Sequence, residues 1–159
     1  MGKKNFNKKA HINESNSYLL NGFVVAYSDG SCWHKDKIGG YGFFIKHKKS
    51  RKHVAIGPIK NTTISIMELS AILGVLTSVS KTSKVIIYSD SNYAVMSINQ
   101  WAVDWDLNER NNGDLFISIL NEIKKFRTKP IFKWIPGHFE IPGNEIADKL
   151  ASEARRRNE

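Results

Sequence analysis

The first seventeen residues, "MGKKNFNKKAHINESNS", are polar, rich in Lys and Asn and free of hydrophobic periodicity, which predicts a flexible basic arm over 1–17. Folding is expected to start near Tyr18. "GFVVAYS", "GGYGFFIKHK" and "KHVAIGPI" read as three strands separated by Gly, Pro and charged residues, and their short links make an antiparallel meander. From Ile64 the period changes. Ile64, Glu68, Ile72, Val75 and Val79 recur at spacings of three and four, one face of a helix. "KVIIYS" predicts a fourth strand, and "SNYAVMSINQWAVDW" a helix capped by Ser91 or Asn92. "GDLFISILNEIKKF" predicts another amphipathic helix, "PIFKWIP" a fifth strand, and "GNEIADKLASEARRR" a last helix with Asn144 as its cap and arginines suited to its C-terminal dipole.

The order βββαβααβα implies an α/β fold with a mixed sheet, in which the fourth strand lies beside and parallel to the first and helices cover the sheet. "YSDGSC" at 27–32 and "YSDSNY" at 88–93 each follow a run of apolar residues, so both are expected to leave the sheet at the same edge. Open α/β sheets place ligand sites at such edges, where the strand order switches. The 159 residues suffice for one core, expected over 18–159.

Composition narrows the class. No apolar run approaches the ~18 residues of a membrane span, and the start of the chain is not a secretion signal. Cys32 is the one cysteine, which excludes an internal disulfide framework and fits a reducing compartment. A cytoplasmic monomer is the default expectation. The net charge of +9 is concentrated at Lys3, Lys4, Lys8 and Lys9, at Lys46, Lys48, Lys49, Arg51 and Lys52, and at Arg155, Arg156 and Arg157. Such clusters suit a polyanion or a solubilising surface, and they name no chemistry.

The chemistry lies in the acids. Glu68 sits in the apolar stripe between Ile64 and Ile72, where it either reaches free amides or solvent at the helix start or is compensated in a shared site. Asp148 stands early in the last helix among Ala147, Leu150 and Ala151. Two strand exits and two helix starts could bring Asp29, Glu68, Asp90 and Asp148 together. Two like charges ~4 Å apart repel by roughly 4 kcal/mol at an effective dielectric of about 20, so such a gathering needs counter-cations. All-oxygen donors, with neither CxxC nor HExxH, point away from zinc and toward two Mg²⁺ ions, with Mn²⁺ as a substitute. Such a pair can drive in-line phosphodiester displacement without a covalent nucleophile. The "GGYG" at Gly39–Gly42 is neither a P-loop nor a dinucleotide fingerprint, and reads as packing or turn positions. His138, in "IPGHFEIPG", sits in a loop between Pro-Gly pairs, either as a surface histidine or as a proton carrier. Trp101 and Trp105, four apart on one helical face, are either core or an aromatic wall along a nucleic-acid strand.

These residues resemble the type 1 ribonuclease H family over nearly all of Gly22 to Ala154. "DGSC" at 29–32, "GGYG" at 39–42, "MELSAI" at 67–72, "YSDSNY" at 88–93, "INQW" at 98–101 and "KWIPGHFEIPGNEIADKLA" at 133–151 occur in the family's order. The resemblance implies a ribonuclease H-like five-stranded mixed sheet, an antiparallel meander of three strands with the fourth and fifth parallel to the first and helices on both faces. It also implies endonucleolytic hydrolysis of the RNA strand of an RNA–DNA hybrid, leaving a 5′-phosphate. Under it, Asp29, Glu68, Asp90 and Asp148 match the metal-binding carboxylates and His138 the loop histidine linked to turnover. Cys32 and Asn92 match contacts in the hybrid's minor groove, Thr63 a threonine of the DNA-phosphate pocket, and Trp101 and Trp105 a pair associated with the DNA strand. Glu145 aligns with a recurring acid that supports the last helix.

Two departures stand out. After Trp105 many members insert a basic helix and loop that grips the hybrid, whereas "DLNERNN" is short and acidic here; the loss of that handle weakens hybrid binding unless the arm, the 46–52 cluster or a partner domain replaces it. Where many relatives carry polar groups before Met-Glu, this chain has Ile64, Ser65 and Ile66, which loosens the expected reading of 2′-hydroxyls. The alternatives are a non-catalytic hybrid- or double-strand-binding module of the same fold and a DNA-cutting nuclease of the superfold. A pure binder has no need of four repelling acids.

Overall fold

The computed structural model describes residues 5–100 and 112–157. Among them are five helices, α1 (Lys8–Leu20), α2 (Ile64–Ser78), α3 (Asn92–Gln100), α4 (Gly113–Lys124) and α5 (Pro142–Arg156). Five strands, β1 (Val24–Trp33), β2 (Ile38–His47), β3 (Ser50–Ile59), β4 (Val85–Ser89) and β5 (Ile131–Trp134), form one sheet in the order β3-β2-β1-β4-β5. The β1–β2 and β2–β3 pairs are antiparallel, while β4 runs parallel to β1 and to β5. This is the mixed sheet that the element order implies. Trp101 and Trp105 lie outside the described residues.

Both sheet faces are covered, which is why β1 and β4 read as continuous apolar runs rather than as alternating ones. Val24, Ala26 and Ile87 face one side and pack with Leu69, Ile72, Val95 and Phe116 of α2, α3 and α4. Val25, Tyr27, Ile86 and Tyr88 face the other, against Ile141 and Ala147, with Phe6, Tyr18 and Leu19 packed at its margin. The sheet is therefore the middle of three layers. No helix among the described residues is long and apolar enough to cross a membrane.

Three boundaries differ from the pattern-based reading. Residues 8–17 belong to α1 and are not a flexible arm. The buried face of that helix is made of His11, hydrogen-bonded to the Tyr27 hydroxyl, and Ser15, which donates to the Ile12 carbonyl, so a hydrophobic period is absent although the helix is docked. Helix α5 starts at Pro142 rather than after Asn144, with Ile141 as the residue preceding it; proline at the first helical turn is favourable because its missing amide has no partner there anyway. Finally, Asp29 lies within β1 and not at its end, since pairing with β2 continues from Asp29↔Gly42 to Trp33↔Ile38. What ends near Asp29 is the parallel pairing with β4, at Ser28↔Ser89.

Two glycines set how closely the flanking helices approach Asp29. A Cβ on Gly30 would stand 2.5 Å from the Glu68 amide nitrogen, and one on Gly42 would stand 2.6 Å from Leu150 Cβ and 2.7 Å from the Ala151 nitrogen. Side chains there would push α2 and α5 off the strand pair. Gly30→Ala is expected to lower unfolding stability by about 1–3 kcal/mol, the usual cost of overpacking, because its neighbours are backbone atoms that cannot rotate away. Chemical denaturation of the variant against the parent protein measures this.

Candidate active site

The site is built where β1 and β4 stop pairing. With Ser28 opposite Ser89, the next residues, Asp29 and Asp90, leave the parallel pair side by side. Asp29 is only 5 % exposed, and its Oδ1 accepts the Gly30 amide at 2.9 Å. Asp90 is anchored through its backbone and its side chain: the Trp134 indole donates to its carbonyl at 3.2 Å, and the Asn144 amide donates to Oδ2 at 3.3 Å. Glu68 arrives from α2, whose start is capped by Thr63, the Thr63 hydroxyl accepting the Ile66 amide at 3.2 Å.

Carboxylate oxygens of Asp29, Glu68 and Asp90 all lie within 4.8 Å of one another. Asp148, carried by α5, lies outside that group but near enough for its charge to act on Asp29 and Asp90. Burial, followed by the charges of Asp90 and Asp148, drives the Asp29 carboxyl well above the ordinary carboxylate range. Glu68 is also raised, by burial and by Asp90, against a lowering hydrogen bond from Ser91. Asp90 is raised by burial and by Asp148, although Asn144 and the positive side of His138 oppose the shift. The donor set, oxygen only and without a Cys or His within it, fits a hard divalent cation rather than zinc.

A family model, RNase H, matches residues 21–156. The chain belongs to the ribonuclease H family. It is 35 % identical over 141 residues to the ribonuclease H of Francisella philomiragia, covering 82 % of this chain and 90 % of that protein. The ribonuclease H of Orientia tsutsugamushi is 35 % identical over 140 residues, covering 83 % and 82 %, and that of Francisella tularensis subsp. novicida 33 % over 139 residues, covering 82 % and 90 %. The chain is accordingly a hydrolase of the nuclease class, with a buried acidic cluster consistent with a metal-dependent active site. The family match starts at residue 21, so α1 precedes it.

The remaining residues implied by the ribonuclease H resemblance are distributed around this centre. His138 is exposed in the loop between β5 and α5 and acts electrostatically on Asp90. Cys32 is half-buried, with its Sγ 3.7 Å from the carbonyl oxygens of Trp33 and Thr62. Thr63 and Asn92 are exposed at the starts of α2 and α3. The cap of α3 is Ser91, whose hydroxyl accepts the Ala94 amide at 3.1 Å, which leaves the Asn92 side chain free of that duty.

Sequence reasoning missed two contributors. Asn144 was expected to cap a helix, and instead it holds Asp90; an amide early in a helix that also closes a charged motif carries both meanings, and no pattern separates them. Arg155 was expected to complement a helix dipole. It donates to the Ser31 hydroxyl at 2.7 Å, and its guanidinium lies 4.3 Å over the Trp33 ring, flanking Cys32 on both sides. Only the pairing of α5 with β1 reveals this.

The raised carboxyl of Asp29 fixes a sign. Its folded pKa lies above its unfolded one, so the folded state loses stability as pH rises from the unfolded value, about 4, through the folded one. Asp29→Asn removes that loss. In chelator at pH 7 the variant is expected to unfold at a higher temperature than the parent, with the gain shrinking toward zero near pH 4; thermal melts across that range measure it.

Proposed function

We propose that this chain is a metal-dependent endoribonuclease that hydrolyses the RNA strand of RNA–DNA hybrids and leaves 5′-phosphate ends. The observation that supports it most is the convergence of Asp29, Glu68 and Asp90 oxygens within 4.8 Å at the edge of the sheet, with Asp148 alongside. Asp29 and Asp90 would hold one Mg²⁺ on the side of the attacking water, and Asp29, Glu68 and Asp148 a second on the side of the leaving 3′ oxygen, with Mn²⁺ able to replace either. When bound, divalent cations supply activation of water and charge stabilisation at the leaving oxygen.

The chain's own residues orient and shield that chemistry. Asn144 and Trp134 fix Asp90 so that its free oxygen keeps one direction. The backbone amide of Gly30 does the same for Asp29. His138, exposed in the loop beside Asp90, would pass a proton and help the product leave. Cys32, Asn92 and Thr63 line the approach to this edge as contacts for the two strands of the hybrid, and Trp101 and Trp105 remain assigned to the DNA strand by their motif. The Ile64-Ser65-Ile66 stretch, beside Thr63, supplies one hydroxyl for reading 2′-hydroxyls.

The position of the basic clusters bears on what grips the hybrid. Lys46 pairs with Val25, four residues before the Asp29↔Gly42 pair, so the 46–52 cluster sits at the end of the sheet opposite the acids. Lys8 stands on the acidic side, 4.0 Å from Glu140 of the histidine loop. The N-terminal lysines are therefore the better replacement for the basic handle, and the salt dependence of hybrid affinity is expected to flatten when residues 2–9 lose their lysines.

The mutual repulsion of the acids argues against a module that only binds, because a binder gains nothing from it. A labelled hybrid is expected to be cut on its RNA strand with Mg²⁺ and left intact in chelator. Asp29→Asn and Asp90→Asn are each expected to lower kcat by roughly 10²- to 10³-fold or more, the scale of losing one electrostatic anchor. Cleavage that persists in chelator, or that survives either substitution at full rate, contradicts the proposal.

A further inference from the structure

Helix α1 lies outside the ribonuclease H match, yet it is fastened to the strands that carry the acids. His11 is 6 % exposed, and its Nε2 shares a 2.8 Å hydrogen bond with the Tyr27 hydroxyl. Its ring meets the Tyr88 ring edge-on at 4.5 Å. Glu14 accepts the Tyr88 hydroxyl at 2.7 Å and the Lys133 ammonium at 2.9 Å. One helix thus grips β1, β4 and β5 together. Tyr27 and Tyr88 each stand two residues before an acid of the site, Asp29 and Asp90.

The segment leading into α1 reaches further, to the histidine loop. Phe6 packs edge-on against Phe139 at 5.6 Å between ring centroids and lies 6.0 Å from the His11 ring. Phe139 is the neighbour of His138. On either side of it, His138 and Glu140 both adopt left-handed backbone, each with φ of 57°. Neither is glycine, and such conformations persist only where surrounding contacts over-determine them. The loop's downstream anchor is Ile141, buried in the core. On the exposed side of the loop the described contacts are Phe6 against Phe139 and the Lys8–Glu140 ion pair, and the latter, with Glu140 90 % exposed, contributes little in solvent. Phe6 is thus a lateral support of Phe139, which also packs on the apolar cluster around Ile135, Ile141 and Ala147.

We infer that Phe6 is a positioning residue for the reaction: seated by His11 and Glu14 on the sheet, it holds Phe139 and thereby fixes the loop that carries His138 past Asp90, where a Cβ on Gly137 would stand 3.0 Å from Asp90 Oδ2. This inference rests on the role proposed above for His138, and it adds a specific device by which a helix outside the family match tunes that histidine. Loosening the contact should affect turnover and leave hybrid binding alone, because Phe6 itself lies behind the loop, in the apolar cluster, and not on the face presented by His138.

The test is a double-substitution cycle on the full chain, read as kcat and KM separately on a labelled hybrid. Phe6→Ala is expected to lower kcat about three- to tenfold, well within the cost of sub-ångström misplacement of a reacting group, with KM changed less than twofold. Phe6→Leu is expected to restore most of the loss. In a His138→Ala background, Phe6→Ala should change kcat no further. Deleting residues 2–6, which spares the His11 and Glu14 anchors, should reproduce the Phe6→Ala effect if that single variant folds poorly. An unchanged kcat in Phe6→Ala, or a drop that persists without His138, overturns the inference. A His138→Ala enzyme with parental kcat overturns the role of the histidine itself, and is read separately from the Phe6 result.

Discussion

Asp29, Glu68 and Asp90, with oxygens within 4.8 Å of one another at one end of a sheet, repel one another, and the polypeptide spends packing precision to keep them there. Asp29 and Asp90 are adjacent because two parallel strands end their pairing in register. Glu68 reaches them because Gly30 offers no side chain to hold α2 away, and Gly42 likewise lets α5, which carries Asp148, pack close on the neighbouring strand. Burial raises the proton affinity of Asp29, Glu68 and Asp90; the charge of Asp90 adds to the shift at Asp29 and Glu68, and that of Asp148 to the shift at Asp29 and Asp90. An arrangement with this electrostatic cost persists when a bound cation offsets it, and the trade of stability for function is a general feature of active sites.

The supporting hydrogen bonds follow the same logic. Asn144 and Trp134 restrain Asp90, and Gly30 restrains Asp29, so the acids cannot relieve repulsion by rotating away. Helix α1 adds a second layer behind them. Its polar inner face, His11, Ser15 and Glu14, is tied to tyrosines that precede the two strand aspartates, so the back of the sheet is as constrained as the front. Precision at the acids is thus shared between the family domain and a helix that precedes it.

How much of this was legible beforehand depended on whether apolar pattern or polar pairing carried the information. Asp29 and Asp90 were readable because a tripeptide, "YSD" after an apolar run, recurs and because parallel strands must exit at one edge. Glu68 was readable as an acid breaking an apolar stripe. The helices from Ile64 onward were readable from period, the fourth strand's place beside the first from the element order, and the fifth strand's place only through the family resemblance. Helix α1 was not, since His11 and Ser15 are buried through hydrogen bonds and leave no hydrophobic signature. Asn144 and Arg155 were assigned to helix ends, where their types are common, and only the approach of α5 to β1 and β4 shows what they touch. The exit of Asp29 was misplaced by one layer of detail, because antiparallel pairing with β2 carries β1 on to Trp33 after β4 has ended.

The central claim is that the fold assembles an acid cluster whose missing partner is a divalent cation. Thermal unfolding with and without Mg²⁺ tests it most directly, because a ligand that binds only the folded state raises the midpoint with its concentration. The account predicts a concentration-dependent rise for the parent protein that disappears in Asp29→Asn. No rise in the parent, or an equal rise in both proteins, would contradict it.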